Sequence, residues 1–171
     1  WDYNGASEQP GVGSIACGFL VTTVLRDAGF RIDRARLARL PSEQLIRDFC
    51  DPRDVRRFSG APAPDFVAAV QRQGPGLFIV GLDYHVGFLV SDGREVRFVH
   101  STVVGAGKVV DEPALDSGTL VWSRYRVIGR VLSDRVVARW LETGSGPARA
   151  DAGALSRALP ERGRGWEVWT C

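Results

Sequence analysis

Apolar positions recur at helical spacing near the start of the chain and give way to strand-like runs after residue 76. Leu20, Val21, Val24, Leu25 and Ala28 mark one helix face, which Ser14 caps and Gly29 ends. With Ser14 as the cap, Cys17 falls at the third position of the first turn. Upstream, Gly5, Pro10, Gly11 and Gly13 predict a loop over 1–13. Residues 33–74 hold short helical segments broken by prolines. These are 34–40, then 43–50 capped by Ser42, a short piece opened by Asp51-Pro52, and 64–73, which runs into Gly74-Pro75-Gly76.

The runs at 77–82, 85–90 and 95–101 predict strands. A weaker strand is read at 103–110, a single turn at 111–116 and a long β-rich run at 119–132. Ser133 caps a helix that reaches about residue 142. Residues 143–165, rich in Gly, Ala, Arg and Pro, predict loop with a short helix over 152–159, and 166–171 predict an edge strand. Helices, then consecutive strands, then a helix give the α+β class, with a cysteine-bearing helix packed on an antiparallel sheet and extra helices between them in sequence. Neither an internal repeat nor a second domain is visible. A single domain is expected, with its core over about 1–142 and a C-terminal extension over 143–171.

Composition narrows the function classes. The 171 residues are 44% apolar and 25% charged, with a net charge of +2, as expected of a folded globular chain. Basic residues are scattered, so neither nucleic acid nor an anionic membrane is the implied partner. No apolar run approaches the ~18 residues a bilayer span needs. The chain has no methionine, even at position 1. It reads as trimmed or processed, with any signal or anchor lying upstream. Cysteine occurs only at 17, 50 and 171, an odd number that leaves at least one thiol outside any disulfide. Pairing of Cys50 with Cys171, or Cys50 as a small buried apolar residue, are the two readings of the others.

The only histidines are His85 and His100, in two strand-like runs joined through Asp92-Gly93. A two-residue turn there places His85 directly opposite His100. His85, Gly87, Leu89, Val96, Phe98 and His100 then share one sheet face, and Val86, Phe88, Val90 and Val99 the other. A thiol at a helix N-terminus is favoured as thiolate by the helix dipole, and an imidazole beside it acts as general base and acid. Cys17 is thus the candidate nucleophile, His85 its base and His100 the group that orients His85. The backbone N–H of Cys17 is the candidate oxyanion donor. A metal site on the same three residues lacks the Cys-x-x-Cys or His-x-x-x-His spacing that would support it.

Ala16-Cys17-Gly18-Phe19, His85-Val86-Gly87-Phe88-Leu89-Val90 and Arg97-Phe98-Val99-His100-Ser101 together resemble the motifs of the NlpC/P60 superfamily of papain-like cysteine peptidases. The resemblance runs in order over roughly residues 1–130. It implies a papain-like core, a Cys17–His85–His100 triad, no cofactor, and cleavage of an amide bond in peptidoglycan stem peptides or γ-glutamyl-type peptides. It also implies a periplasmic or extracellular setting, with the cytoplasm left open. Tyr3, in Trp1-Asp2-Tyr3-Asn4-Gly5, and Gly18 are the residues it suggests near the oxyanion or substrate. Departures mark a divergent subfamily: Ala16 stands where the family has Asp, Gly18 where it has Ser, and the stretch between Cys17 and His85 is long. A non-catalytic binding member of the fold, or a Cys–His acyltransferase, are the alternatives.

Overall fold

Strand β2 (Gly76–Leu82) is apolar at every position but its glycines, because both of its faces are covered. Ile79 packs into one core, while Phe78, Val80 and Leu82 pack into another on the opposite side of the sheet. The computed structural model describes residues 1–105 and 107–143. The predicted short helix at 152–159 and edge strand at 166–171, and Cys171 with its pairing, lie outside the described residues.

The fold is α+β: a six-stranded antiparallel sheet with helices on both faces. The other strands are β1 (Val55–Ser59), β3 (Val86–Ser91), β4 (Val96–Ser101), β5 (Val109–Pro113) and β6 (Tyr125–Arg130), in the order β1-β6-β2-β3-β4-β5. Helices α1 (Cys17–Asp27) and α3 (Ser42–Phe49) cover one face through Val21, Leu25, Leu45, Ile46 and Phe49. Helix α4 (Ala63–Gln71) covers the other through Phe66, Val67 and Val70. Each such side chain contributes about 1.5–3 kcal/mol by leaving water. Short helices α2 (Arg34–Ala38) and α5 (Gly118–Val121), a 3-10 turn at Pro52–Asp54 and the C-terminal α6 (Asp134–Thr143) complete the regular elements among the described residues. Among the described residues, no helix is long and apolar enough to cross a membrane.

Several elements differ from the sequence expectation, each for a local reason. Helix α1 begins at Cys17 rather than after Ser14, because Ile15 is held extended in a bridge to Ala6 and the Ala16 N–H donates to the Gly5 carbonyl. Cys17 is therefore the first helical residue, not the third. Strand β1 escaped prediction because it is a charged edge. Only Val55 and Phe58 pack against the cores, and Arg57 pairs with Glu43 of α3. The strand expected at 103–110 begins at Val109 and takes up Asp111–Pro113, where the sequence predicts a turn. Gly105 and Gly107 adopt positive φ, and the Thr102 N–H reaches the Lys108 carbonyl to close the loop between them.

The β-rich run 119–132 splits into α5 and β6. Arg126, 1% exposed, donates to the carbonyls of Leu120 and Val121 at the end of α5 and to that of Ala61. Burial lowers the guanidinium pKa, and these carbonyls stand in for the lost water. The bend itself is held by Asp83, whose carboxylate accepts from the backbone N–H groups of Arg124 and Tyr125.

Candidate active site

The N-terminal loop, the start of α1, the β2–β3 connection and the α5–β6 connection converge on one cavity of about 630 Å³. Cys17, His85 and Tyr3 all line it. Three tethers set this geometry. Ser101 Oγ donates to the Ile15 carbonyl at 2.6 Å, fastening the end of β4 to the chain two residues before the cysteine. Gly5 packs against the backbone of Ser14 and Ile15 so tightly that a Cβ there would stand 2.7 Å from main-chain atoms. That close approach lays Tyr3 over the site. Asp83 accepts from Ser123 Oγ at 3.1 Å as well as from the two backbone N–H groups, clamping the segment that precedes His85.

The β3–β4 register is not the one read from a two-residue turn. Asp92 accepts from the N–H groups of Arg94 and Glu95, making a four-residue turn that pairs Ser91 with Val96. The register moves by two positions, which preserves the face of every side chain. Leu89, Val96 and Phe98 lie in one core while Val86, Phe88 and Val99 pack in the other, as the alternation predicts. The shift puts His100 against Gly87 instead of His85. A Cβ on Gly87 would come within 2.8 Å of the His100 Cβ and 2.6 Å of the Phe98 ring, so glycine is what leaves room for both rings.

The two histidines meet nonetheless, their side chains reaching diagonally. His85 Nε2 and His100 Nδ1 are 2.8 Å apart, and His100 Nε2 lies 3.1 Å from Glu112 Oε1 on β5. Phe98 braces the pair, stacking on His100 with centroids 3.9 Å apart and meeting His85 edge-on at 6.1 Å. The chain of contacts assigns the tautomers. Glu112 Oε1 accepts the proton on His100 Nε2. His100 Nδ1 then accepts from His85 Nε2–H, which leaves His85 Nδ1 as the basic nitrogen. His100 is 1% exposed. Burial pushes its pKa down to about 4 and His85 adds to that, while the Glu112 hydrogen bond opposes it. At neutral pH it is an uncharged relay.

Of the residues marked from sequence, the cavity thus gathers Cys17, His85 and Tyr3, with His100 behind His85. Gly18 is not among its lining residues. It sits where α1 crosses α2, and a Cβ there would overlap the Ala38 carbonyl oxygen. Glu112 was missed. Its strand was placed too early along the chain, and the only available signal was its two-residue offset from Val110 on a correctly placed β5. Cys50 is fully buried beneath Gly129, and burial raises its thiol pKa well above the ordinary range. Among the described residues, Cys17 and Cys50 are not joined to each other by a disulfide. Among the described residues, no group of three or more His, Cys, Asp and Glu side chains is placed to hold a metal ion.

Set against protein-family models, curated proteins and solved structures, the chain matches none of them.

Proposed function

We propose that this chain is a cysteine hydrolase that cleaves an amide bond through a thioester on Cys17. The observation that carries the reading is one continuous arrangement. Cys17 and His85 line the same cavity, and His85 is hydrogen-bonded to buried His100, which is hydrogen-bonded to Glu112. A core histidine present only for packing has no need of a second histidine and a carboxylate in line behind it.

The chemistry follows from the tautomers. His85 Nδ1 takes the Cys17 thiol proton, and the sulfur attacks the carbonyl carbon. Cys17 is the first residue of α1, and N–H groups in a first helical turn have no intrahelical acceptor, so they suit a developing oxyanion. The C–N bond breaks as His85 returns the proton to the departing amine. Water then adds to the thioester, giving its proton to His85, and the C–S bond breaks to regenerate the thiol. His100 and Glu112 hold His85 in the orientation and tautomer this requires, and they stabilise the imidazolium while it carries the proton.

A helix bearing the nucleophile and packed on an antiparallel sheet is also the arrangement of papain-like cores. With the motifs at Cys17, His85 and His100, this supports a divergent NlpC/P60-like enzyme. The resemblance carries the substrate to a peptidoglycan stem peptide or a related γ-glutamyl-type peptide.

The test is the pH dependence of Cys17 alkylation by iodoacetamide, resolved from Cys50 and Cys171 by mass spectrometry, in the native protein and in His85→Ala. Fast labelling well below the ordinary thiol pKa of ~8.5, lost in the variant, is the expected result. Labelling that tracks an ordinary thiol, or that ignores the substitution, refutes the proposal.

A further inference from the structure

The reaction does not explain the surface around the cysteine. Tyr3, Tyr84, Val103, Val104 and Trp122 all line the cavity, and each is more than half exposed, Trp122 at 78% and Tyr84 at 75%. Large apolar side chains gathered in one exposed patch mark a binding surface, whereas scattered ones mark nothing. The charge pattern points the same way. Among the described residues, neither Lys nor Arg lines the cavity. Its one acidic residue, Asp83, has both oxygens engaged by Ser123, Arg124 and Tyr125. A carboxylate close to the scissile bond would lose water against aromatic walls with no Lys or Arg to receive it.

We infer that the acyl group delivered to Cys17 is uncharged and apolar, an aliphatic or aromatic acyl chain or a peptide residue of that character. This rests on the cysteine-hydrolase reading above, and it selects among substrates for that site. Of the peptides the resemblance offers, the walls favour those whose acyl side carries no charge near the cleaved bond.

The probes are two activated esters of equal length, 4-nitrophenyl hexanoate and mono-4-nitrophenyl adipate. Each acylates a competent thiolate as the carbonyl–sulfur bond forms and 4-nitrophenolate leaves. Release of 4-nitrophenolate gives the rate, and peptide mass mapping after an acid quench locates the acyl group on Cys17 rather than on Cys50 or Cys171. The expected result is a kcat/KM for the hexanoate roughly tenfold or more above that for the adipate. Trp122→Ser and Tyr84→Ser, at exposed positions that leave the core untouched, lower the hexanoate value several-fold and bring the two substrates together. Equal or better use of the adipate, with Cys17 acylated by both, overturns the inference and leaves the hydrolase reading standing. Absence of both acyl mass on Cys17 and Cys17-dependent release of 4-nitrophenolate, from either ester, overturns both.

Discussion

Protonation of His100 is the sharpest handle on the buried relay. Its pKa falls from 6.5 in an unfolded chain to about 4 in the fold, chiefly because burial disfavours the cation. Above pH ~6.5 the residue is neutral in both states and contributes no pH dependence. Between there and about 4, the unfolded chain binds a proton that the folded one refuses, so stability falls as pH falls. At ~1.4 kcal/mol per pH unit, the whole window amounts to about 3 kcal/mol. Urea unfolding followed by tryptophan fluorescence from pH 8 to pH 4, in the native protein and in His100→Asn, isolates this contribution. Groups remote from His100 are the same in both proteins and largely cancel in the difference. With a urea slope of ~1–3 kcal/mol per molar, the midpoint difference between the two proteins should move by about 1–3 M across the window. The groups facing His100 are His85 and Glu112. If Glu112 dominated burial, the folded pKa would lie above 6.5 and the difference would slope the other way. A flat or inverted difference refutes the neutral-relay argument, and with it the tautomer assignment at His85.

Four further outcomes test the same geometry. Glu112→Gln keeps the shape but removes the charge that fixes the His100 tautomer, and should slow Cys17 acylation by about tenfold, with partial recovery in Glu112→Asp; an unchanged acylation rate and pH profile would remove Glu112 from the site. Gly87→Ala drives a methyl into His100 and Phe98, so acylation should fall by ~100-fold or more while the fold survives on circular dichroism. Gly18→Ala meets the Ala38 carbonyl and should cost about 2–3 kcal/mol in denaturant unfolding, and a loss under about 0.5 kcal/mol would show that α1 and α2 separate easily. Arg126→Leu strands the carbonyls of Leu120, Val121 and Ala61 and should destabilise by about 2–4 kcal/mol in the same assay.

The sequence exposed those parts of the fold that a single side-chain period controls. The α1 face, the alternation along β3 and β4, and the central strand β2 are all set by which positions must leave water. The helix start was not legible, because a backbone bond from Ala16 to Gly5 decided it and Ser14 looked like a sound cap. The hairpin register failed for a related reason. Asp92-Gly93 is a good two-residue turn, yet the Asp92 side chain capping two further N–H groups won. A slip of two rather than one kept both histidines on one face, so the pairing was wrong while the juxtaposition held. The edge strands β1 and β5 carry arginines and carboxylates, not an apolar pattern, and Glu112 was hidden with β5. Arg126 reads as an exposed cation in any composition count, and only the fold reveals the carbonyls that hold it.

On the proposed hydrolase reading, the Asp83 clamp sets when Cys17 gains its partners during synthesis. The thiol emerges early, but the segment leading to His85 is steadied by backbone groups of residues 124 and 125, and the relay behind it ends at residue 112. Strand β2 also awaits β6 as its neighbour. A ribosome-bound chain ending short of residue 130 therefore carries Cys17 without the clamped segment that positions His85. Such long-range pairings form late and together, so the nucleophile gains its partners in the same event that completes the sheet.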